Sequence, residues 1–516
     1  MHTFARLLTL EPLERHPGRV LTVVGLVCAV AYVTSLTAFP RGPGRIINGD
    51  AIQYYAYLRS LVIDRDVDFT NDYRLLYAPT DGEAGENVWL TSRTETGRPP
   101  NMMSIGPALL WAPAFLATYA ILVLLQPFGI AVPLDGMAAP FSLSAGVSGI
   151  MYATLGAYLC YRSCRLLFPD GPAFWGALVA WLATPALYYS LVSPAYSHAP
   201  SLFAAALFCY VWLKTRGNDG IGRYVWLGIL AGLAALVRWQ DVVILALPLL
   251  ELAARGGSPP AFVRRCIPPG CVARRSNIGH ILASRALPAG RIAGLGATPD
   301  FHHGLLARSV AKRRSPLSAS ALRAGVMLGG VVVMLMPQLV AWRAIYGHFL
   351  VMPQGGGFMQ WAAPALVSVL FSLRHGLFSW TPAVLVAVLG FYHLVRRDAW
   401  LGWSVVVVVL LAVYINASVG DWWAGEAFGA RRFVGYTVFF ALGLAALFAR
   451  ELWQNRPVLL RWTAVALVVY NLLFLLQYQL FMRGFQNLAP YPTTMRQVLF
   501  DRLTLPWHLI RTWLGS

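Results

Sequence analysis

Ile105-Gly106-Pro107-Ala108-Leu109-Leu110-Trp111-Ala112-Pro113-Ala114-Phe115-Leu116-Ala117-Thr118-Tyr119-Ala120-Ile121-Leu122-Val123-Leu124-Leu125-Gln126 decides the side on which every later loop falls. The stretch carries no charge and is long enough for a bilayer crossing of about 20 residues. Its Pro107 and Pro113 suit an irregular element. Downstream, basic residues follow the apolar segments in clusters: Arg162 and Arg165, then Lys214, Arg216 and Arg223, then the stretch 255–323, then Arg396 and Arg397, then Arg450, Arg456 and Arg461. Cytoplasmic loops are enriched in Lys and Arg. All these clusters fall inside, together with Arg6, Arg15 and Arg19, if 105–126 does not make a full crossing. If it crosses, each later basic loop is turned outside. The reading that keeps the bias makes 105–126 re-entrant, surface-lying, or the partner of a neighbour in a shared crossing.

The composition sets the class. The 516 residues are 57% hydrophobic, 13% aromatic and only 12% charged, and the mean hydropathy is +0.58. Soluble domains carry about 25% charged residues, so an ordinary soluble enzyme and a disordered chain are both excluded. Other apolar runs lie at about 20–39, 141–161, 172–192, 198–213, 224–238, 240–253, 323–342, 377–395, 400–416, 433–449 and 457–479. The expected fold is an all-α polytopic membrane protein with about 11 transmembrane helices, within a range of about 9 to 13. Its N-terminus is inside and its C-terminus outside. The first run ends in Pro40-Arg41-Gly42 without a small-x-small cleavage site, and reads as a retained anchor. The net charge of +19 belongs to the inner loops and does not call for nucleic acid.

Residues 1–480 read as one transmembrane domain, with 41–104 as a large first outer loop and 481–516 as a C-terminal tail on the outer side. The stretch 255–323 has eleven Arg, one Lys and a single acid, Asp300. With many Gly, Pro and Ser and no period, it reads as a disordered basic cytoplasmic loop touching anionic lipid. Cys266, Cys271, His280, His302 and His303 lie there at spacings that fit no standard zinc site. The six cysteines avoid the long outer loop, so no disulfide framework is expected.

The outer loop carries the chemistry. Asn48-Gly49-Asp50-Ala51-Ile52-Gln53-Tyr54-Tyr55-Ala56-Tyr57-Leu58-Arg59-Ser60-Leu61-Val62 places Ile52, Tyr55, Leu58, Leu61 and Val62 at helical spacing, with Gln53 and Arg59 on the polar side. It reads as an amphipathic helix in the headgroup layer. Asp50 at its start is an N-cap, or a general base held at the membrane surface, and the two are compatible. Asp64-Arg65-Asp66-Val67-Asp68-Phe69-Thr70-Asn71-Asp72-Tyr73 follows. As an extended strand its acids share a face able to hold Mg²⁺ or Mn²⁺; as a solvated turn they hold nothing.

These two runs resemble the first outer loop of bacterial GT-C glycosyltransferases, the polytopic relatives of protein O-mannosyltransferases and of the lipid A aminoarabinose transferase. Four further pieces agree: Arg98-Pro99-Pro100 with Ser104 to Pro113, Tyr196-Ser197-His198-Ala199-Pro200, Leu236-Val237-Arg238-Trp239-Gln240, and Asp421-Trp422-Trp423-Ala424-Gly425-Glu426-Ala427-Phe428-Gly429-Ala430-Arg431-Arg432. Their order along the chain carries the resemblance, which covers most of 20–450 outside 255–323. The resemblance implies a membrane glycosyltransferase at the outer face of a bacterial cytoplasmic membrane. The donor is a sugar on polyprenyl phosphate, and the acceptor is a hydroxyl of a glycan, lipid or protein. Asp50 takes the role of catalytic base in an inverting displacement.

A leaving phosphate calls for arginine forks. The outer candidates are Arg98, Arg238, Arg431 and Arg432. Arg238 is alternatively a snorkelling helix-end arginine, and Arg431 and Arg432 alternatively interfacial anchors. In the aminoarabinose branch a lysine stands near the proline-rich segment, where this chain has Arg98. Tyr54, His198, Gln240, Trp422, Trp423 and Glu426 are the candidate substrate-lining residues; His198 also reads as a structural histidine, and the tryptophans as interfacial anchors. A divalent metal is a candidate cofactor on the acidic run alone. Two other readings stand: a transporter or flippase of lipid-linked glycans, with similar basic sites and no chemistry, and an inactive relative.

Overall fold

The computed structural model describes residues 10–38, 46–77, 88–256, 316–425, 427–482 and 494–514. The Pro40-Arg41-Gly42 end of the first run, most of the basic stretch with its cysteines and histidines, and Glu426 lie outside the described residues. The fold is helical; the described residues contain no strand, only an isolated bridge between Met359 and Val419. In chain order the main helices are α1 (Pro17–Ala38), α2 (Asp50–Arg59), α3 (Thr70–Leu76), α4 (Gly106–Leu125), α5 (Ala139–Arg165), α6 (Asp170–Leu182), α7 (His198–Lys214), α8 (Ile221–Val237), α9 (Ala246–Gly256), α10 (Pro316–Tyr346), α11 (Pro382–Arg397), α12 (Ala399–Ala417), α13 (Thr437–Phe448), α14 (Pro457–Gln477) and α15 (Asp501–Leu514). Among the described residues seven helical segments are long and apolar enough to cross a membrane, those built on α1, α4, α5, α10, α12, α13 and α14. The class is a multi-pass membrane protein.

Side-chain contacts fix the direction of each helix. Gly18, Gly25 and Gly146 pack against Tyr158, Thr154 and Tyr32, so α5 returns antiparallel to α1. Gly149 packs on Pro194 and Gly156 on Leu202, so α7 runs parallel to α5, with α6 as the return between them. Arg223 at the start of α8 pairs with Glu251 in α9 at 2.8 Å, while Arg238 at the end of α8 bonds Ser197 before α7. Gly228 packs on Met327 and Gly232 on Val331 and Met334, so α10 follows α8. Asp398 after α11 pairs with Arg216 after α7 at 2.5 Å, and Arg461 in α14 pairs with Glu14 before α1 at 2.6 Å. Among the described residues these contacts set α1 antiparallel to α5, α7 parallel to α5, and the start of α8 beside α9. Arg19, Arg162, Arg165, Arg216, Arg397 and Arg461 gather at one end, and residues 46–77 at the other.

The stretch 105–126 lies between α1 and α5. Because α1 ends and α5 begins at the same end, the chain between them makes no net passage. The stretch is a continuous helix despite Pro113, yet it enters and leaves on one side. The arm 94–105 descends along the last turns of α10. The Thr94 and Thr96 hydroxyls donate to the Ile345 carbonyl, the Ile105 amide to Gln338 Oε1 at 2.7 Å, and the Ser104 hydroxyl to the Val237 carbonyl at 2.6 Å. Gly106 lies so close to the Leu236 carbonyl that a Cβ would stand 2.3 Å from it. From there α4 climbs back: Tyr152 bonds the Leu110 carbonyl, and Phe115 and Tyr119 reach Phe141 at the start of α5.

One expectation is corrected. Helix α2 is not a surface helix with a wet polar face; Ala51 through Arg59 are all buried. Gln53 and Arg59 survive there because each is bonded. Gln53 Oε1 accepts from the Met102 amide at 2.8 Å; Arg59 donates to the Asp135 carbonyl at 2.8 Å, to Asp64 at 2.5 Å and to Asp72 at 3.0 Å. Of its two readings, the acidic run takes the turn. Ser60–Asp64 forms a π turn, Arg65 is left-handed with φ 62°, and α3 follows. Asp66 bonds the Ser60 hydroxyl at 2.6 Å and Asp68 the Thr70 hydroxyl at 2.6 Å, so the carboxylates brace a turn. The described residues of the C-terminal segment pack on α14. Tyr470 and Gln477 of α14 donate to the Leu499 and Gln497 carbonyls at 2.8 and 3.0 Å, and Arg502 of α15 stacks over Phe474 at 3.6 Å.

Candidate functional site

Helix length makes a hollow. Helices α6, α7 and α8 have 13, 17 and 17 residues, while α5 and α10 have 27 and 31. Gly149 of α5 is level with Pro194 just before α7. The part of α5 before Gly149 rises roughly 15 Å above that level at 1.5 Å per residue. The ends of the short helices form a floor below this rim.

Asp50 sits on that floor as the first residue of α2. Gly49 takes the N-cap position at φ 54° with no side-chain cap bond. Glycine is required there, since a Cβ would lie 2.5 Å from the Tyr196 hydroxyl. The Asp50 carboxylate is turned to Arg431, Oδ2 to Nη1 2.9 Å, and its side chain is 33% exposed against 13% for Arg431. Of the two readings of Asp50, the side-chain cap is not made.

Arg431 and Arg432 open a 3-10 turn, Arg431–Tyr436, that leads into α13. The preceding loop is held by left-handed residues at Ala424, Gly425 and Gly429, with φ 62°, 63° and 63°. Arg432 donates to the Asp421 carboxylate at 2.7 Å and to its carbonyl at 2.8 Å. Gln240 donates to the Arg432 carbonyl at 3.1 Å. Arg238, ending α8, donates to Ser197 Oγ at 2.9 Å and meets His198 Nδ1 at 3.1 Å. A guanidinium can only donate, so Nδ1 accepts and a neutral His198 carries its proton on Nε2. Tyr54 donates to the same Ser197 oxygen at 2.9 Å. Burial foremost raises the pKa of the Tyr54 phenol, against the pull of Arg238, so it stays a neutral donor.

The N-termini of α2, α7 and the turn before α13 thus converge with three arginines. Helix N-termini and arginine forks both favour anions. Among the described residues the acids opposing them are Asp50, Asp421 and the buried Asp241, which accepts from Ser201 at 2.6 Å. Beside Arg431 and Arg432 lies a narrow crevice with room for about one water molecule, lined also by Trp422, Trp423, His375 and Asn416. His375 donates from Nδ1 to the Trp423 carbonyl at 2.6 Å. Its pKa is pushed down to about 4, first by burial and then by Arg431 and Arg374, against that hydrogen bond.

Asp50, Tyr54, His198, Arg238, Gln240, Arg431 and Arg432 come together, with Trp422 and Trp423 at the adjoining crevice. Arg98 does not join them; its guanidinium donates to the Ala344 carbonyl at the end of α10. Among the described residues no three His, Cys, Asp or Glu side chains cluster to hold a metal ion. Tyr196, Ser197 and Asp421 stand in the quoted motifs but were not candidate site residues, and Asn416 stands in none of them. The signal for Asn416 is a single amide closing an otherwise apolar run, where a polar group is costly.

No family model matches the chain, and no curated protein matches its sequence. Among solved structures, similarity is found to the oligosaccharyltransferase AglB of Archaeoglobus fulgidus in complex with an inhibitory peptide and a dolichol-phosphate, at 14% identity and a TM-score of 0.40. The apo form of the Archaeoglobus fulgidus oligosaccharyltransferase gives 14% and 0.41. In both, the match covers 92% of this chain and 60% of the other.

Proposed function

We propose that this protein is a GT-C-type glycosyltransferase that moves a sugar from a polyprenyl-phosphate donor to an acceptor hydroxyl. The observation that carries the reading is the 2.9 Å pair of Asp50 and Arg431, on a floor shared with Arg238 and Arg432. The arginine bias makes the opposite end cytoplasmic, so the site faces outward, in a bacterial cytoplasmic membrane.

The arginines and helix N-termini bind the donor phosphate. Asp50 takes the proton of the acceptor hydroxyl as its oxygen bonds to the anomeric carbon. The bond from that carbon to the phosphate oxygen breaks, and its electron pair leaves with the phosphate, where arginine charge stabilises it. A single displacement inverts the anomeric centre. The glycan, lipid or protein that supplies the hydroxyl binds from the open side of Asp50.

The test is transfer of radiolabelled sugar from defined polyprenyl-phosphate donors in membranes with and without the protein, run with Mg²⁺ and with EDTA. Protein-dependent product that is lost in Asp50→Asn supports the reading. Protein-dependent movement of the lipid across the bilayer without product supports the flippase instead.

A further inference from the structure

The end of the bundle opposite Asp50 carries two neighbouring cations without an acid partner among the described residues. Other arginines at that end are matched: Arg165 with Asp170, Arg216 with Asp398, Arg223 with Glu251 and Arg461 with Glu14. Arg162 in the last turn of α5 and Lys214 at the end of α7 are exposed and make no such pair. Helices α5 and α7 run parallel, which brings the two side chains together. Gly18 of α1 packs against Tyr158 of α5, so the exposed Arg19 stands at the same end.

Two tyrosines frame the pair. Arg162 Nη1 donates to the Tyr158 hydroxyl at 2.9 Å and Nη2 to the Tyr210 hydroxyl at 3.4 Å. The guanidinium stands over both rings, 5.7 Å from each centroid, and Lys214 Nζ stands over the Tyr210 ring at 5.6 Å. A guanidinium only donates, so each phenol oxygen accepts and keeps its own proton to give away. Among the described residues neither phenol gives that proton to a protein acceptor. The cluster therefore offers phenol, guanidinium and ammonium donors with no carboxylate among them. Two like charges share one ring, and an anion between them would relieve their repulsion.

We infer that Arg162 and Lys214, framed by Tyr158 and Tyr210, bind the phosphate of an acidic phospholipid in the leaflet at that end. An arginine fork matches phosphate oxygens, and the lysine and the phenol protons supply further donors. The position points to a lipid. Arg162 lies three residues from the end of a segment long and apolar enough to cross the membrane, the depth at which a helix leaves hydrocarbon and meets headgroups. A phospholipid phosphate is abundant at that depth, whereas a free anion must be drawn from solution. The site is remote from Asp50 and takes no part in the proposed transfer.

The test titrates the full chain in detergent with dioleoyl phosphatidylglycerol and, separately, with dioleoyl phosphatidylcholine, and reads bound lipid by native mass spectrometry. The wild-type protein is expected to bind phosphatidylglycerol more tightly. Arg162→Gln with Lys214→Gln should weaken it about fivefold for each cation removed. Tyr158→Phe with Tyr210→Phe keeps the charge, removes the phenol donors and should weaken it about three- to tenfold. Arg450→Gln with Arg456→Gln removes two exposed cations at the same end but outside the cluster, and should leave the affinity unchanged. Unfolding temperatures show which variants fold, and Lys214→Gln alone, at an exposed side chain, decides the matter if a pair does not. The site is overturned if phosphatidylglycerol is not preferred, if the control pair loses as much as the cluster pair, or if the phenol pair loses nothing. Release of bound phosphatidylglycerol by millimolar inorganic phosphate overturns the lipid assignment in favour of a free anion.

Discussion

Asp50 at the start of α2 and Arg431 at the start of the turn before α13 form an ion pair at 2.9 Å, joining the first outer segment to the far end of the chain. The pair holds a carboxylate and a guanidinium that the proposed reaction uses separately, one for the acceptor proton and one for the leaving phosphate. The two residues therefore have separable phenotypes. Asp50→Asn is expected to lower transfer by about 10²- to 10⁴-fold, the usual worth of a general base. Its affinity for farnesyl phosphate should hold or rise, since Arg431 loses a competing anion. Arg431→Met should lower that affinity. Parallel transfer and binding measurements check both, and wild-type turnover in Asp50→Asn would refute the base assignment.

Asp72 gives a stability prediction with a sign. It is 0% exposed and faces Arg59 at 3.0 Å. Burial, outweighing Arg59, raises its pKa from 3.8 to about 6. The folded state therefore keeps a proton that the unfolded chain has released between about pH 4 and 6, so stability falls as pH rises through that window. Asp72→Asn should flatten this slope. Arg59→Met leaves a buried carboxylate without its counter-charge, a loss on the order of 3–5 kcal/mol above pH 6, and a smaller one below pH 4, where Asp72 holds its proton. Thermal unfolding in detergent across this range reads both effects.

The residues show why some of this was legible and some was not. Arginine clusters beside apolar runs mark helix ends, so the helical, multi-pass class and the grouping of Arg162, Arg165, Arg216, Arg397 and Arg461 at one end could be read without coordinates. Gly49-Asp50 and Arg431-Arg432 could be marked as site candidates because charges beside apolar runs are expensive. Their pairing could not, because nothing local links residues so far apart in the chain. Arg98 is a phosphate candidate by sequence, but the arm that carries it is bonded to the end of α10, and its guanidinium follows. The spacing of α2 suggested a half-wet helix. Its polar side is instead closed over by Asp64, Asp72 and the 135–136 backbone, which only the tertiary fold supplies.

Helix α11 meets α13 backbone to backbone at Gly390. A Cβ there would stand 1.9 Å from the Gly443 carbonyl oxygen. Close approach of small residues is how helices pack where lipid is as apolar as the core. Gly390→Ala must push the helices apart and should cost about 1–3 kcal/mol. Gly325→Ala in α10 adds a methyl where nothing lies within 4 Å, and should be neutral or slightly stabilising through helix propensity. A lower Tm for the first variant alone is the expected result.

The re-entrant course of α4 can be tested by chemistry at its two ends. Glu95 stands at the start of the descending arm and Ala131 follows the helix, both exposed; Asp219, in the turn between α7 and α8, is exposed at the other end of the bundle. Cys28, Cys160, Cys164 and Cys209 are buried, so a background with Cys266 and Cys271 changed to serine is quiet toward a membrane-impermeant maleimide. In that background Glu95→Cys and Ala131→Cys should label from the same side of sealed vesicles, and Asp219→Cys only after the membrane is opened or inverted. The logic does not depend on knowing which side is outside. If α4 crossed, the positions before and after it would label from opposite sides. Then α5 could not begin at the end where α1 finishes, and the Gly146–Tyr32 and Gly18–Tyr158 contacts that align the two helices could not form.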